Sequence, residues 1–180
     1  MSKTIEQYDA AMQLCRDIFL KKNQDYGTSW RILRPSSLTD QIFIKAQRIR
    51  TIEEKGTQRI DEGRLPEFIG IVNYCIMALI QVDLGANDRL NLASNEIAAI
   101  YKAKTDEIRV LMVDKNHDYG DAWRSMRISS FTDLILMKLL RIKSIEGNNG
   151  QTIISEGTAS GYQDIINYAI FGIIKLNETT

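Results

Sequence analysis

The chain has 180 residues, 44% hydrophobic and 26% charged, with 23 basic and 23 acidic side chains. This is the composition of a folded globular protein, not of a disordered one. The balanced charge provides no long-range field that would draw the whole chain onto nucleic acid or an anionic membrane, although a local patch is not excluded. The amino-terminal MSKTIEQYDA lacks the apolar run and small-residue cleavage site of a secretory leader, and no membrane association is expected. The apolar stretches around Ile76 and Leu136 are too short and too interrupted to span a bilayer. Cys15 and Cys75 fall inside helical patterns, as expected of two small buried side chains in a reducing, cytoplasmic setting.

In chain order, the first helix is expected over Thr4–Gln24, with Ile5, Tyr8, Met12, Cys15, Ile18 and Phe19 spaced for one face. Gly27 ends it with a turn. The second is expected from Ser36–Ser37, whose hydroxyls can cap free N–H groups, to about Gly56. The third runs from Pro66 to Leu84. The pattern then starts again, with helices expected over Asn95–His117, Ser130–Glu146 and Ala159–Leu176.

The restart is a duplication. KNQDYGTSWRILRPSSLTDQIFIKAQRIRTIE, from Lys22, aligns without gaps on KNHDYGDAWRSMRISSFTDLILMKLLRIKSIE, from Lys115, with 18 of 32 positions identical where chance gives about two. It extends back through Tyr8/Tyr101 and Arg16/Arg109. After one inserted residue it extends forward through Glu62-Gly63/Glu156-Gly157 and Asn73-Tyr74/Asn167-Tyr168. The organisation expected is therefore all-α: a first repeat at 1–85, a polar linker at 86–97 and a second repeat at 98–180. The two form one helical bundle of two three-helix units about a pseudo-twofold axis.

Polar residues recur where apolar ones are expected. Lys45 lies in IFIKAQRI and Lys138 in LILMKLLRI, each followed three residues later by an arginine on the same face, Arg48 or Arg141. A cation drawn into apolar surroundings must either snorkel to water or meet an anion, supplied by a protein carboxylate or a ligand phosphate. Asn73 in IVNYCIMALI and Asn167 in IINYAIFGII need polar company for the same reason. Asp164 precedes Asn167 by about one turn, and its counterpart is Gly70, so only the second repeat would carry chemistry that depends on this acid. The Lys-Asn-x-Asp-Tyr-Gly turn supplies Lys22, Asp25, Tyr26 and Trp30, and again Lys115, Asp118, Tyr119 and Trp123. A turn glycine and core aromatics account for part of it; the retained charges are better explained by a ligand. No phosphate loop, HExxH, CxxC pair or GxSxG is present, and the single histidine, His117, aligns with Gln24.

The K-N-x-D-Y-G…W segment followed by K-x-x-R-I and D-I-I-N-Y resembles the family called nucleotide modification associated domain 1, once per repeat and over nearly the whole chain. More distantly the helical pattern is similar to MazG-type all-α nucleotide pyrophosphohydrolases, which hold Mg²⁺ with ExxE and ExxD pairs. The recurring acids here are instead Asp25/Asp118, Asp40/Asp133, Glu53/Glu146 and Glu62/Glu156. The resemblances imply a nucleotide or other phosphate-bearing small molecule as partner, bound by Lys22, Asp25, Tyr26, Trp30, Lys45, Arg48 and Asn73, and by Lys115, Tyr119, Trp123, Lys138, Arg141 and Asn167. For a Mg²⁺-dependent reaction, the catalytic candidates are Asp164, Asp118 and Asp133, with Asp164 and Glu156 as metal ligands. A non-catalytic nucleotide or nucleic-acid module, a purely structural helical protein, and assembly into a homo-oligomer are the alternatives to weigh.

Overall fold

A computed structural model of the protein describes residues 2–56, 63–85, 89–153 and 156–178. Glu62 and positions 86–88 of the expected linker lie outside them. Six α-helices carry the fold: α1 (Ser2–Tyr26), α2 (Pro35–Lys55), α3 (Arg64–Leu84), α4 (Ser94–Tyr119), α5 (Ile128–Gly147) and α6 (Thr158–Glu178). No strand occurs among the described residues.

Helix limits follow local backbone chemistry. α1 and α4 run two residues past their expected ends, until Gly27 and Gly120 take φ of +60° and +63°, a conformation only glycine adopts cheaply. A short 3₁₀ turn follows each of them, Ser29–Ile32 and Ala122–Ser125. α2 starts at Pro35, ahead of the expected Ser36–Ser37 cap, and no side chain caps it. Proline's fixed φ suits the first helical position and pushes the preceding Arg34 to extended backbone (φ −68°, ψ 151°). Ile128 starts α5 at the equivalent place behind an equally extended Arg127. α3 begins at Arg64, not Pro66, because the missing proline N–H is harmless anywhere in a first turn. α4 starts at Ser94, inside the segment expected as linker.

α2 packs on α3 and α5 on α6, and these two pairs join through α3–α6 and α2–α5 contacts. α1 and α4 lie across the result, each touching both central helices α3 and α6 as well as one another. One apolar core runs through both repeats, from Tyr8 and Phe68 to Tyr101 and Ile173. α3 is long and apolar enough to cross a membrane by composition, but 67% of its most apolar window is buried inside the bundle. At Gly172 a Cβ would meet the Phe68 ring at 3.0 Å, so the glycine sets how closely α3 and α6 approach.

The pseudo-twofold relation is visible contact by contact. Arg50 reaches Asp133 at 3.6 Å, and the equivalent Lys143 reaches Asp40 at 3.3 Å. Such exposed pairs contribute little energy, but they register α2 against α5. Deeper down, the Tyr8 hydroxyl donates to Asn167 Oδ1 at 2.8 Å and the Tyr101 hydroxyl to Asn73 Oδ1 at 2.8 Å. Each first helix is therefore bonded to the third helix of the other repeat.

Each 3₁₀ turn is fixed by the third helix of its own repeat and in turn grips the other repeat. Gln81 at the end of α3 donates to Arg31 O and Leu33 O; its counterpart Lys175 donates to Arg124 O and Met126 O. Thr28 then holds the strap before α4 through Leu90 O (2.7 Å) and Leu92 N (3.0 Å). In the other half Asp121 accepts from Thr4 Oγ1 (2.7 Å), and Arg124 donates to Gln7 at the start of α1. Each turn thus docks the entry to the other repeat's first helix.

Tyr8→Phe and Tyr101→Phe should each leave a buried amide oxygen without its donor and cost about 1–3 kcal/mol. In a chain of this size that lowers the melting temperature by roughly 2–4 °C per kcal/mol. Thermal unfolding checks this, and the two losses should be similar, because the bonds are symmetry equivalents.

Candidate functional site

The recurring lysine of the second helix meets an acid in both repeats, but a different one. In the second repeat Asp164, on α6, takes Lys138 at 2.9 Å and Lys115, from the end of α4, at 2.8 Å. In the first repeat the glycine equivalent to Asp164, Gly70, leaves its space to Lys45: a Cβ there would lie 2.8 Å from Lys45 Cε and 2.9 Å from Cδ. Lys45 bends instead to Glu67, one turn earlier on α3, at 3.4 Å, and Arg48 bonds the same carboxylate. Glu67 is equivalent to Gly161, where a Cβ would strike Ile142. The acid has moved by one helical turn between repeats and glycine fills the vacated position, so Gly70 does not mark a lost charge. Its role is to give Lys45 room. Arg141, equivalent to Arg48, has a glycine in place of that acid and is exposed.

A cavity of about 150 Å³ lies between α4, the second 3₁₀ turn and α6, lined by Met112, Tyr168 and Phe171 as its apolar side. Lys115, Tyr119, Trp123, Asp164 and Asn167 also line it, so five of the residues singled out from sequence converge there, with Lys138 reaching them through Asp164. Burial pushes the Asp164 carboxyl up, but the hydrogen bonds and charges of Lys115 and Lys138 outweigh it and hold the group below its ordinary range. Two ammonium groups share one carboxylate, which leaves a net positive charge at the polar end.

Two donors in the wall lack protein acceptors. Asn73 Nδ2 in the first repeat donates to Cys15 O at 3.0 Å, whereas Asn167 uses its Oδ1 for Tyr8 and keeps its amide nitrogen free of any such bond. The Trp123 indole N–H is buried without an acceptor. Asn116, also in the wall, fits best with its amide nitrogen toward Gly120 O (2.9 Å) and Asp121 Oδ1 (3.3 Å). Trp123 is closed to stacking. Phe171 lies parallel to it at 4.4 Å and the Arg124 guanidinium covers it at 4.4 Å. The exposed ring at this site is Tyr119, 78% accessible on the rim.

The remaining candidates lie elsewhere. Lys22, Asp25 and Tyr26 are exposed at the end of α1, and Trp30 packs on Phe19. Asp118 is exposed beside His117 (3.3 Å), Asp133 is held in the α2–α5 pair with Arg50, and Glu156 is exposed ahead of α6. Three catalytic carboxylates are thus not brought together. No group of three or more His, Cys, Asp or Glu side chains suited to a metal occurs among the described residues. The donor set does not fit Mg²⁺, because the one carboxylate in the cavity already faces two cations.

Sequence reasoning missed Glu67 and Phe171, and carried Asn116 only as part of the Lys-Asn-x-Asp-Tyr-Gly turn. Glu67 had a signal, an acid exactly one turn before Gly70 on the same face. Phe171 had none, because its counterpart is Met77 and an apolar residue in an apolar helix carries no mark.

The chain matches the family described as Nucleotide modification associated domain 1 twice, at residues 22–82 and 115–176, and belongs to that family. Every residue lining the cavity except Met112 lies in the second matched segment. No curated protein and no solved structure matches the chain, so the likeness to MazG-type enzymes gains no support from them.

Two tests follow from the charges. Glu67→Ala leaves Lys45 and Arg48 without their acid and should cost about 1–3 kcal/mol. Adding Gly70→Asp, the second repeat's arrangement, should restore most of it, seen in urea unfolding as a coupling of at least about 0.5 kcal/mol. The second concerns pH. Glu146 is pushed up by burial, with Asp40 adding to the rise and Lys143 opposing it. Its folded state holds a proton that the unfolded chain releases, so stability declines as pH rises from the ordinary carboxylate value through the raised one. Asp164 acts in the opposite sense: its contribution is full above the ordinary aspartate value and is lost as pH falls through the depressed one. Glu146→Gln should flatten the decline and Asp164→Asn the acid-side loss, both read from unfolding free energy against pH.

Proposed function

We propose that the second repeat binds a small phosphate-bearing ligand of the nucleotide class, without needing a metal ion. The observation that carries this reading is the pair Lys115 and Lys138 on a single carboxylate at the polar end of an otherwise apolar cavity. A volume of about 150 Å³ takes one ring-sized fragment, not a whole nucleotide. A base or ribose fits against Met112 and Phe171, with Asn167 Nδ2 and the Trp123 N–H as unused donors. Lys115, half exposed at the mouth, is placed to meet the phosphate outside, with Tyr119 alongside. Lys138, largely buried, fixes Asp164 and through it Lys115.

Membership of a family named for nucleotide modification supports the ligand class. The chemistry of the wall favours binding over Mg²⁺-dependent hydrolysis: Asp164 is the one carboxylate lining the cavity, and Lys115 and Lys138 already hold it.

Titration calorimetry with a panel of nucleoside mono- and triphosphates, in Mg²⁺ and in a chelator, tests this. Binding should persist in the chelator, weaken about tenfold in Lys115→Ala, the equivalent of 1.4 kcal/mol, and vanish in Ala122→Trp, which fills the cavity mouth. Binding that depends on Mg²⁺ would instead restore the pyrophosphohydrolase reading.

A further inference from the structure

A second cavity, of about 220 Å³, lies between α1 and α4, and Tyr8 in its wall bonds Asn167 in the wall of the site above. Its walls are nearly symmetric: Asp9, Gln13 and Arg16 on α1, and their equivalents Lys102, Asp106 and Arg109 on α4. The pseudo-twofold axis therefore passes through it. The two halves do not carry the same charges, and that difference is informative.

In one half Arg109 is gripped by Asp9, with Nε at 2.7 Å from Oδ1 and Nη2 at 2.9 Å from Oδ2, the two-pronged geometry of a guanidinium on a carboxylate. The same bond in the other half would join Arg16 to residue 102, which is a lysine. Arg16 has no acid within ion-pair distance among the described residues, and its Nε is buried with no acceptor. Lys102 turns to Asp106, one turn along its own helix, at 2.6 Å. A buried guanidinium N–H left unbonded is costly, and no side chain among the described residues supplies its acceptor. Three cations and two carboxylates line the cavity, so what is missing is negative charge.

We propose that this cavity binds a phosphate-type oxyanion, with Arg16 as its principal ligand and Lys102 and Arg109 beside it, in the place that the Asp9 carboxylate fills in the other half. A tetrahedral oxyanion presents two oxygens to a guanidinium fork as a carboxylate does, and its further oxygens can face an ammonium group. The anion would tie α1 to α4, elements that otherwise meet through few contacts, and so would tighten the join between the repeats. Free inorganic phosphate and the phosphate of a nucleotide offer the same chemistry, and the test separates them.

Thermal unfolding is measured at constant ionic strength, with sodium phosphate replacing sodium chloride in one arm and a nucleoside monophosphate in another. Phosphate should give a saturable rise in melting temperature, since a ligand bound only by the folded state stabilises it by mass action. The rise should disappear in Arg16→Gln. It should also disappear in the double variant Lys102→Asp/Asp106→Gln, which gives α4 the carboxylate and amide of α1. That variant should melt higher than the wild type when phosphate is absent, because Arg16 then has an internal partner. It reads the proposal even if Arg16→Gln folds poorly. Lys115→Ala should keep the phosphate response. An Arg16-dependent response larger for the nucleotide than for phosphate identifies a nucleotide as the source; the reverse identifies the free anion. No phosphate response in the wild type, a response unchanged by Arg16→Gln, or one lost in Lys115→Ala would overturn the proposal. Failure of the last kind would place the anion in the α4–α6 cavity and leave the nucleotide reading intact.

Discussion

Two hydrogen bonds, Tyr8 to Asn167 and Tyr101 to Asn73, hold the architecture to one arrangement. All four side chains are buried, and burial pushes both tyrosine hydroxyls far from ionising. A buried amide oxygen without a donor costs more than the bond itself contributes when made. The donor for each asparagine comes from the other repeat, so neither three-helix unit satisfies its own polar groups in this arrangement. The docking of each first helix on the other repeat's 3₁₀ turn, through Thr28 and through Asp121 with Arg124, has the same consequence. Interleaving is thus imposed by polar satisfaction, while the apolar core supplies the bulk of the driving force.

Within this frame the two repeats have drifted by compensation. The lysine of the second helix must find an acid, and it does in both halves, but the acid has moved a turn from Asp164 in one to Glu67 in the other. Glycine stands at each vacated position, and what fills it differs. Lys45 lies across Gly70 and Ile142 across Gly161, and the second repeat carries a lined cavity beside its ion pair. Such exchange keeps the lysine–carboxylate pair in both repeats while changing the acid that serves it and the packing around it.

Much of this is legible in the sequence. A gapless 93-residue offset with matching polar residues implied a pseudo-twofold helical bundle, and LILMKLLRI implied that Lys138 must meet an anion. Helix starts were less legible, because Pro35 and extended Arg34 override the serine cap signal that follows them. The partners across the axis were not legible at all. Nothing in Tyr8 or Asn167 says that they belong together, since 159 residues separate them and either could have bonded within its own repeat. Trp123 misled for a related reason: its type suggests stacking on a base, but Phe171 and Arg124 already cover its faces. A residue's chemistry can be read from sequence, whereas its remaining freedom depends on neighbours that packing chooses.

Residue-resolved amide hydrogen exchange tests most directly the claim that the repeats are one cooperative unit. Slow amides of α3 and α6 should open with the same free energy, equal to that of global unfolding, because each helix depends on the other repeat for its buried polar partners. Two distinct opening energies, one for each repeat, would contradict the account and show that the halves are stable on their own.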